Sequence, residues 1–132
     1  MSSVYARERS HTNFTPIDNA ADLMDEVAAY VIQEKYVTKK LRYLIGEDLI
    51  RKTDEIYDNA TYANEIYASK ENIKRRRIYW IRAMACCKQL DRKLQRLRNI
   101  SPAATADSMK EILKLLNGEK KAIAERLERE RG

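Results

Sequence analysis

The sequence has little that breaks a helix and little that builds a conventional active site. Three Gly and two Pro in 132 residues leave few places where the backbone must turn or lose a donor. The two Cys are neighbours, Cys86 and Cys87. Adjacent helical residues point about 100° apart, so the pair cannot comfortably bridge and is expected as reduced thiols of a cytoplasmic protein. The one histidine, His11, lies in a polar segment ahead of the expected helices, so no Glu-x-x-His pair can project inward from them to hold a metal. G-x-S-x-G and G-x-x-x-x-G-K are both missing, and with them the common nucleophile and phosphate-loop signatures. No catalytic residue, metal or cofactor is therefore expected. Carboxylates such as Glu47, Asp48, Asp54 and Glu55 read as a solvated helix face. No apolar run approaches the roughly 20 residues of a membrane span, and the opening MSSVYARERSHTNF is polar, unlike a signal peptide. A soluble intracellular protein with no membrane partner is the expectation. Period-two alternation is also missing, which argues against strands.

What remains is the vocabulary of helices: 35% charged residues set among Ala, Leu and Ile. Residues 1–14 show no periodic apolar positions and read as a disordered tail in which Val4, Tyr5 and Phe14 are available to a partner. Residues 15–132 read as one domain of four amphipathic helices, at about 17–33, 38–67, 70–100 and 102–128. In the first, Leu23, Met24, Val27, Ala28, Val31 and Ile32 recur at three and four, with Thr15-Pro16 as the start signal. The second is capped by Thr38 and carries Leu41, Leu44, Ile45, Leu49, Ile50, Ile56, Tyr57, Ala60, Ala63, Ile66 and Tyr67. Gly46 inside it is either tolerated or used by a close helix crossing. Ser101-Pro102 reads as the start of the last helix, whose face runs Ala106, Met109, Ile112, Leu113, Leu116, Ile123 and Leu127, interrupted by Asn117-Gly118. Short connections between such helices point to an all-α fold, an antiparallel up-down-up-down four-helix bundle.

The third helix concentrates the charge. From Lys70 to Arg98 it carries eleven Lys/Arg against Glu71 and Asp91, a net +9 where the whole chain is +6. Trp80, Ala83, Met84, Cys87, Leu90, Leu94 and Leu97 fall on one side of a helical wheel, while Lys74, Arg75, Arg82, Lys88, Arg92, Lys93 and Arg96 fall on the other. Ile78, Ile81 and Ala85 share that second side. Apolar residues ringed by arginines mark an interface with a second copy or another protein. The bland reading of the charge is a solvated surface neutralised by neighbouring helices, but acids are almost absent from this helix, so i,i+4 pairs cannot neutralise it. Uncompensated cations attract polyanions, and Arg76, Arg77, Arg82 and Arg92 offer forked donors suited to phosphate oxygens. No motif with defined base contacts is present. Tyr57, Tyr67 and Tyr79 read as core or rim; Tyr36, Tyr43 and Tyr62 are available to stack on unpaired bases.

The run EKYVTKKLRYLIGEDLIRKTDEIYDNATYANEIY, followed by RRR, a helix with ACCKQLDRKL, a Ser-Pro junction and a final helix, resembles the accessory variability determinant (Avd) family, four-helix accessory proteins of diversity-generating retroelements. The resemblance implies a homo-oligomer, a pentameric ring, that binds a reverse transcriptase and template RNA or an RNA/DNA hybrid during mutagenic cDNA synthesis and has no catalytic residues of its own. Carried residue by residue, it reaches Lys39, Lys40 and Arg42 at the start of the second helix and Arg75, Arg76, Arg77 and Arg82 in the third. Gly118 departs from the family's usually unbroken last helix. The competing expectation is a structural module whose cationic face docks an acidic protein and never meets nucleic acid.

Overall fold

Four helices carry residues 15–131, which are the residues the computed structural model describes. The tail reading of residues 1–14, with Val4, Tyr5, His11 and Phe14, lies outside them. Helix α1 is Thr15–Val31 and buries Ala20, Leu23, Val27, Tyr30 and Val31. It stops two residues before the expected end, because the amide of Gln33 turns back to the carbonyl of Tyr30 at 3.1 Å and leaves Ile32 exposed.

Helix α2 spans residues 39–65. It opens as Lys39–Leu41, passes through a π turn at Arg42–Gly46 and continues as Glu47–Glu65. Thr38 caps it, its hydroxyl accepting from the amide of Leu41 at 3.4 Å, which satisfies one of the free donors of a helix start. Gly46 is used by a close crossing: a Cβ added there would lie 2.9 Å from Val31 Cγ1 of α1. Leu44, expected on the apolar ladder, is instead exposed beside the π turn, as is Tyr67 beyond the helix end.

Helix α3 is Ile73–Ile100. Trp80, Ala83, Cys87, Leu90, Leu94 and Leu97 are buried, so the wheel's apolar stripe is the core stripe. Both cysteines are free thiols inside the protein; burial pushes each above the ordinary thiol range, and the Glu55 carboxylate adds to the rise at Cys86.

Helix α4 is Lys110–Arg129, eight residues later than the start expected at Pro102. Ser101 does not cap it. Ser101 instead closes α3, its amide bonded to the carbonyl of Leu97, and its hydroxyl donates to the carbonyl of Tyr36 at 2.7 Å. Thr105 and Ser108 then bond each other's amides at 3.0 and 3.1 Å, while Ser108 meets the Tyr30 hydroxyl at 2.6 Å. These side-chain bonds offer the backbone an alternative to helix, and Ala106 is left exposed on the segment. The helix that follows runs unbroken through Asn117 and Gly118.

Helix α1 packs on α2 and α4, α2 on α3, and α3 on α4. No strand is present among the described residues, and none of their helices is long and apolar enough to cross a membrane.

Candidate nucleic-acid interface

The run Arg75-Arg76-Arg77 is split by helical geometry, since each step turns the side chain about 100°. Arg75 points out and is exposed. Arg76 points in, only 6% exposed, and is not a surface contact. Its Nε donates to Glu130 Oε1 at 2.6 Å and its Nη2 to Glu130 Oε2 at 3.2 Å, while Nη1 donates to the carbonyls of Ala63 at 3.0 Å and Ile66 at 2.6 Å. Arg77 donates to the carbonyls of Leu127 and Glu130 at 2.5 and 2.9 Å. Both arginines therefore satisfy carbonyls at helix C-termini, where cations oppose the negative end of the dipole. The sequence signal for Arg76 is its spacing: it lies four residues before Trp80, on the core stripe.

Two further cations expected at the interface are engaged elsewhere. Lys93 pairs with Asp48, which also holds Arg51; the Lys93 hydrogen bond keeps the Asp48 carboxyl below the usual carboxylate range. Arg42 donates to the carbonyls of Val31 and Ile32 and pairs with Glu34 at 3.2 Å, tying α2 to the end of α1. Lys39, Lys40, Lys74, Arg75, Arg82, Lys88, Arg92 and Arg96 are exposed. None of them is ion-paired to an acid among the described residues.

The six free cations of α3 form two rows. Lys74, Ile78, Ile81, Ala85, Lys88 and Arg92 follow one another at alternating steps of four and three along the outermost face, and Arg75, Arg82 and Arg96 lie at multiples of seven beside them. Ile78 and Ile81 are 48% and 52% exposed, with Ala85 exposed between Ile81 and Lys88. The apolar stripe thus sits inside the cationic face.

The seam between α2 and α3 runs beside that face. Contacts climb α2 as they descend α3: Asp48 to Lys93, Glu55 to Cys86 at 3.6 Å, Tyr62 to Tyr79 at 5.5 Å between ring centroids. Three openings follow it. A cleft of about 400 Å³ is lined by Asp48, Arg51, Lys52, Gln89, Arg92 and Lys93. Toward the start of α2 lies one of about 350 Å³ with Leu44, Arg96 and Ile100 on its walls. At the other end, Tyr62, Glu65, Ile66, Tyr67, Arg75 and Tyr79 surround about 310 Å³. From Arg75 to Ile100 the seam is about 37 Å long at the helical rise. Of the tyrosines expected near bases, Tyr43 and Tyr62 are exposed, whereas Tyr36 is stacked on Tyr30 at 4.6 Å.

No group of His, Cys, Asp or Glu among the described residues is gathered as a metal site. The chain matches no protein-family model, no curated protein and no solved structure.

Proposed function

We propose that this protein is a non-catalytic binder of nucleic acid that works through the outer face of α3. Following the Avd resemblance, its partner is a reverse transcriptase copying template RNA, its fold is an antiparallel up-down-up-down bundle, and its working form is a homo-oligomer, a ring in that family. The observation that carries the reading is the set of exposed cations on α3 that no acid among the described residues neutralises. Free cations on a rigid helix track phosphates and release counterions, whereas the solvated-face reading needs acidic neighbours, which among the described residues are supplied only to Arg76, by Glu130 after α4, and to Lys93, by Asp48 of α2; Asp91, an acid of α3 itself, is taken by Lys120 of α4.

Binding of a labelled RNA measured over a salt series tests this. The expected result is a linear fall of log affinity with log salt, with at least about tenfold loss and a shallower slope when Arg75, Arg82 and Arg92 are changed to Glu. A flat response, or an unchanged triple variant, favours the docking of an acidic protein instead.

The Ile78, Ile81 and Ala85 stripe is the contact to a second copy. Ala85 at its end is small and lets a helix approach closely, and the three-four spacing is that of a helix seam. Ile81→Asp is expected to reduce the mass seen by light scattering to that of one chain while leaving helix content unchanged. A mass that stays constant assigns the stripe to the polymerase.

A further inference from the structure

The tyrosine-lined opening at the end of the α2–α3 seam has a composition the rest of the cationic face lacks. Tyr62 stands in the last turn of α2, and the chain leaves that helix at Ile66 with an extended backbone, φ −78° and ψ 121°, which carries Tyr67 outward. Tyr62 is 52% and Tyr67 80% exposed. Tyr79 of α3 forms the third wall, its ring inclined 56° to that of Tyr62. Arg75 lines the opening, and Arg82 lies over the Tyr79 ring at 5.4 Å. The Ile66 carbonyl, from which Tyr67 departs, is held by buried Arg76 at 2.6 Å, so the outward course of the chain is fixed by the core.

We infer that this cup is a stacking site for an unpaired nucleobase, with Arg75 and Arg82 receiving the adjoining phosphates. The inference rests on the nucleic-acid reading and narrows it from phosphate tracking to single strands. Aromatic faces hold any planar π-system, and they do so for bases without regard to sequence. Charge decides the class of planar ligand. An aromatic cup built for a quaternary ammonium excludes cations from its walls, whereas this one has Arg75 in its wall and Arg82 over its Tyr79 ring, against Glu65 alone. A ligand that is flat and carries negative charge beside its ring fits both features, and a base in duplex cannot offer its face because its neighbours cover it. The opening of about 310 Å³ is of small-molecule pocket size.

The test compares a single-stranded RNA of about 10 nucleotides, within the site size of one small binding domain, with a duplex of the same length. The wild-type protein is expected to prefer the single strand. Tyr62→Ala and Tyr67→Ala should each weaken single-strand binding at least about fivefold, leave duplex binding unchanged and leave the salt slope unchanged, since no charge is removed. Tyr62→Phe and Tyr67→Phe, which keep the ring, should retain wild-type affinity; both positions are exposed, so the variants report binding and not folding. Equal binding of the two RNAs, or equal loss on both in the alanine variants, overturns the cup while the cationic-face reading stands. Failure of both RNAs to bind overturns both readings. Alanine variants that bind RNA normally but lose a protein partner assign the cup to protein docking and overturn the inference.

Discussion

Arg76→Ala is expected to lower the stability of the fold by about 3–5 kcal/mol, the usual effect of removing one member of a buried pair. The substitution leaves Glu130 facing an empty site where it had a two-pronged partner. It also strips the carbonyls of Ala63 and Ile66 of their donor, and a buried polar group without a partner is costly to keep. Trp80 loses a guanidinium 6.0 Å from its ring centre, though Arg126 remains on the ring at 5.8 Å. Urea unfolding followed by helix content gives the number. Arg76→Lys should recover only part of it, because an ammonium cannot bond a carboxylate and two carbonyls in one plane. A loss under about 1 kcal/mol, as for an exposed ion pair, would show that Arg76 is not the clasp between α2 and α4. The same variant should weaken RNA binding only as far as it unfolds the protein, unlike the changes at Arg75, Arg82 and Arg92.

The second large effect belongs to Glu119. Its side chain is fully buried on α4, 0% exposed, and neither carboxylate oxygen has a hydrogen-bond partner among the described residues. Burial pushes its carboxyl well above the ordinary glutamate range, and its charged form would in turn raise the buried Cys87 thiol. The sign follows from proton counting. In the folded protein Glu119 keeps a proton that the unfolded chain releases, so stability is greatest below the unfolded value. It then declines, by about 1.4 kcal/mol per pH unit, as pH rises through the interval up to the folded value. Glu119→Gln carries no titrating group and should remove that slope. Glu119→Met, apolar and of similar size, should add about 1–3 kcal/mol near neutral pH, because it removes a buried polar group that has no hydrogen bond. Melting temperatures of the three proteins from acid to alkaline pH supply the comparison. Parallel curves for wild type and Glu119→Gln would mean that the carboxyl reaches water or a partner in solution.

Both residues were within reach of sequence reasoning, for the same reason that the core was. Leu90, Leu94 and Leu97 are buried as their spacing requires, and Arg76 continues that stripe one turn before Trp80. Glu119 likewise sits three residues after Leu116 and three before Ala122, on the buried side of α4. Residue type hid them: a charged side chain on an apolar face is read as solvent-facing, and only three-dimensional packing shows whether water reaches it. The late start of α4 is a different kind of miss. Ser-Pro is a helix signal in isolation, but Ser101 closes α3 and bonds Tyr36, sixty-five residues away in sequence, and no local pattern encodes that contact. The exposed stripe Ile78, Ile81 and Ala85 was legible because it is a helical face on one continuous helix. The tyrosine cup was not, since Tyr67 leaves the helical register that placed it in the core.

The π turn at Arg42–Gly46 acts on α2 as a vernier. The amide of Glu47 reaches back to the carbonyl of Arg42, a span one residue wider than in an α-helix, so everything upstream is rotated by about one residue's angle relative to the ladder Leu49, Ile56, Ala60 and Ala63. Ile45 and Gly46 take the buried side, and Tyr43 and Leu44 are dialled outward. A shortening of this turn by one residue would restore a uniform helix, and the setting of the Leu44–Ile100 end of the seam would change while the tyrosine end, beyond the ladder, kept its phase. The two ends of one groove are thus adjustable separately by insertion or deletion at a single point.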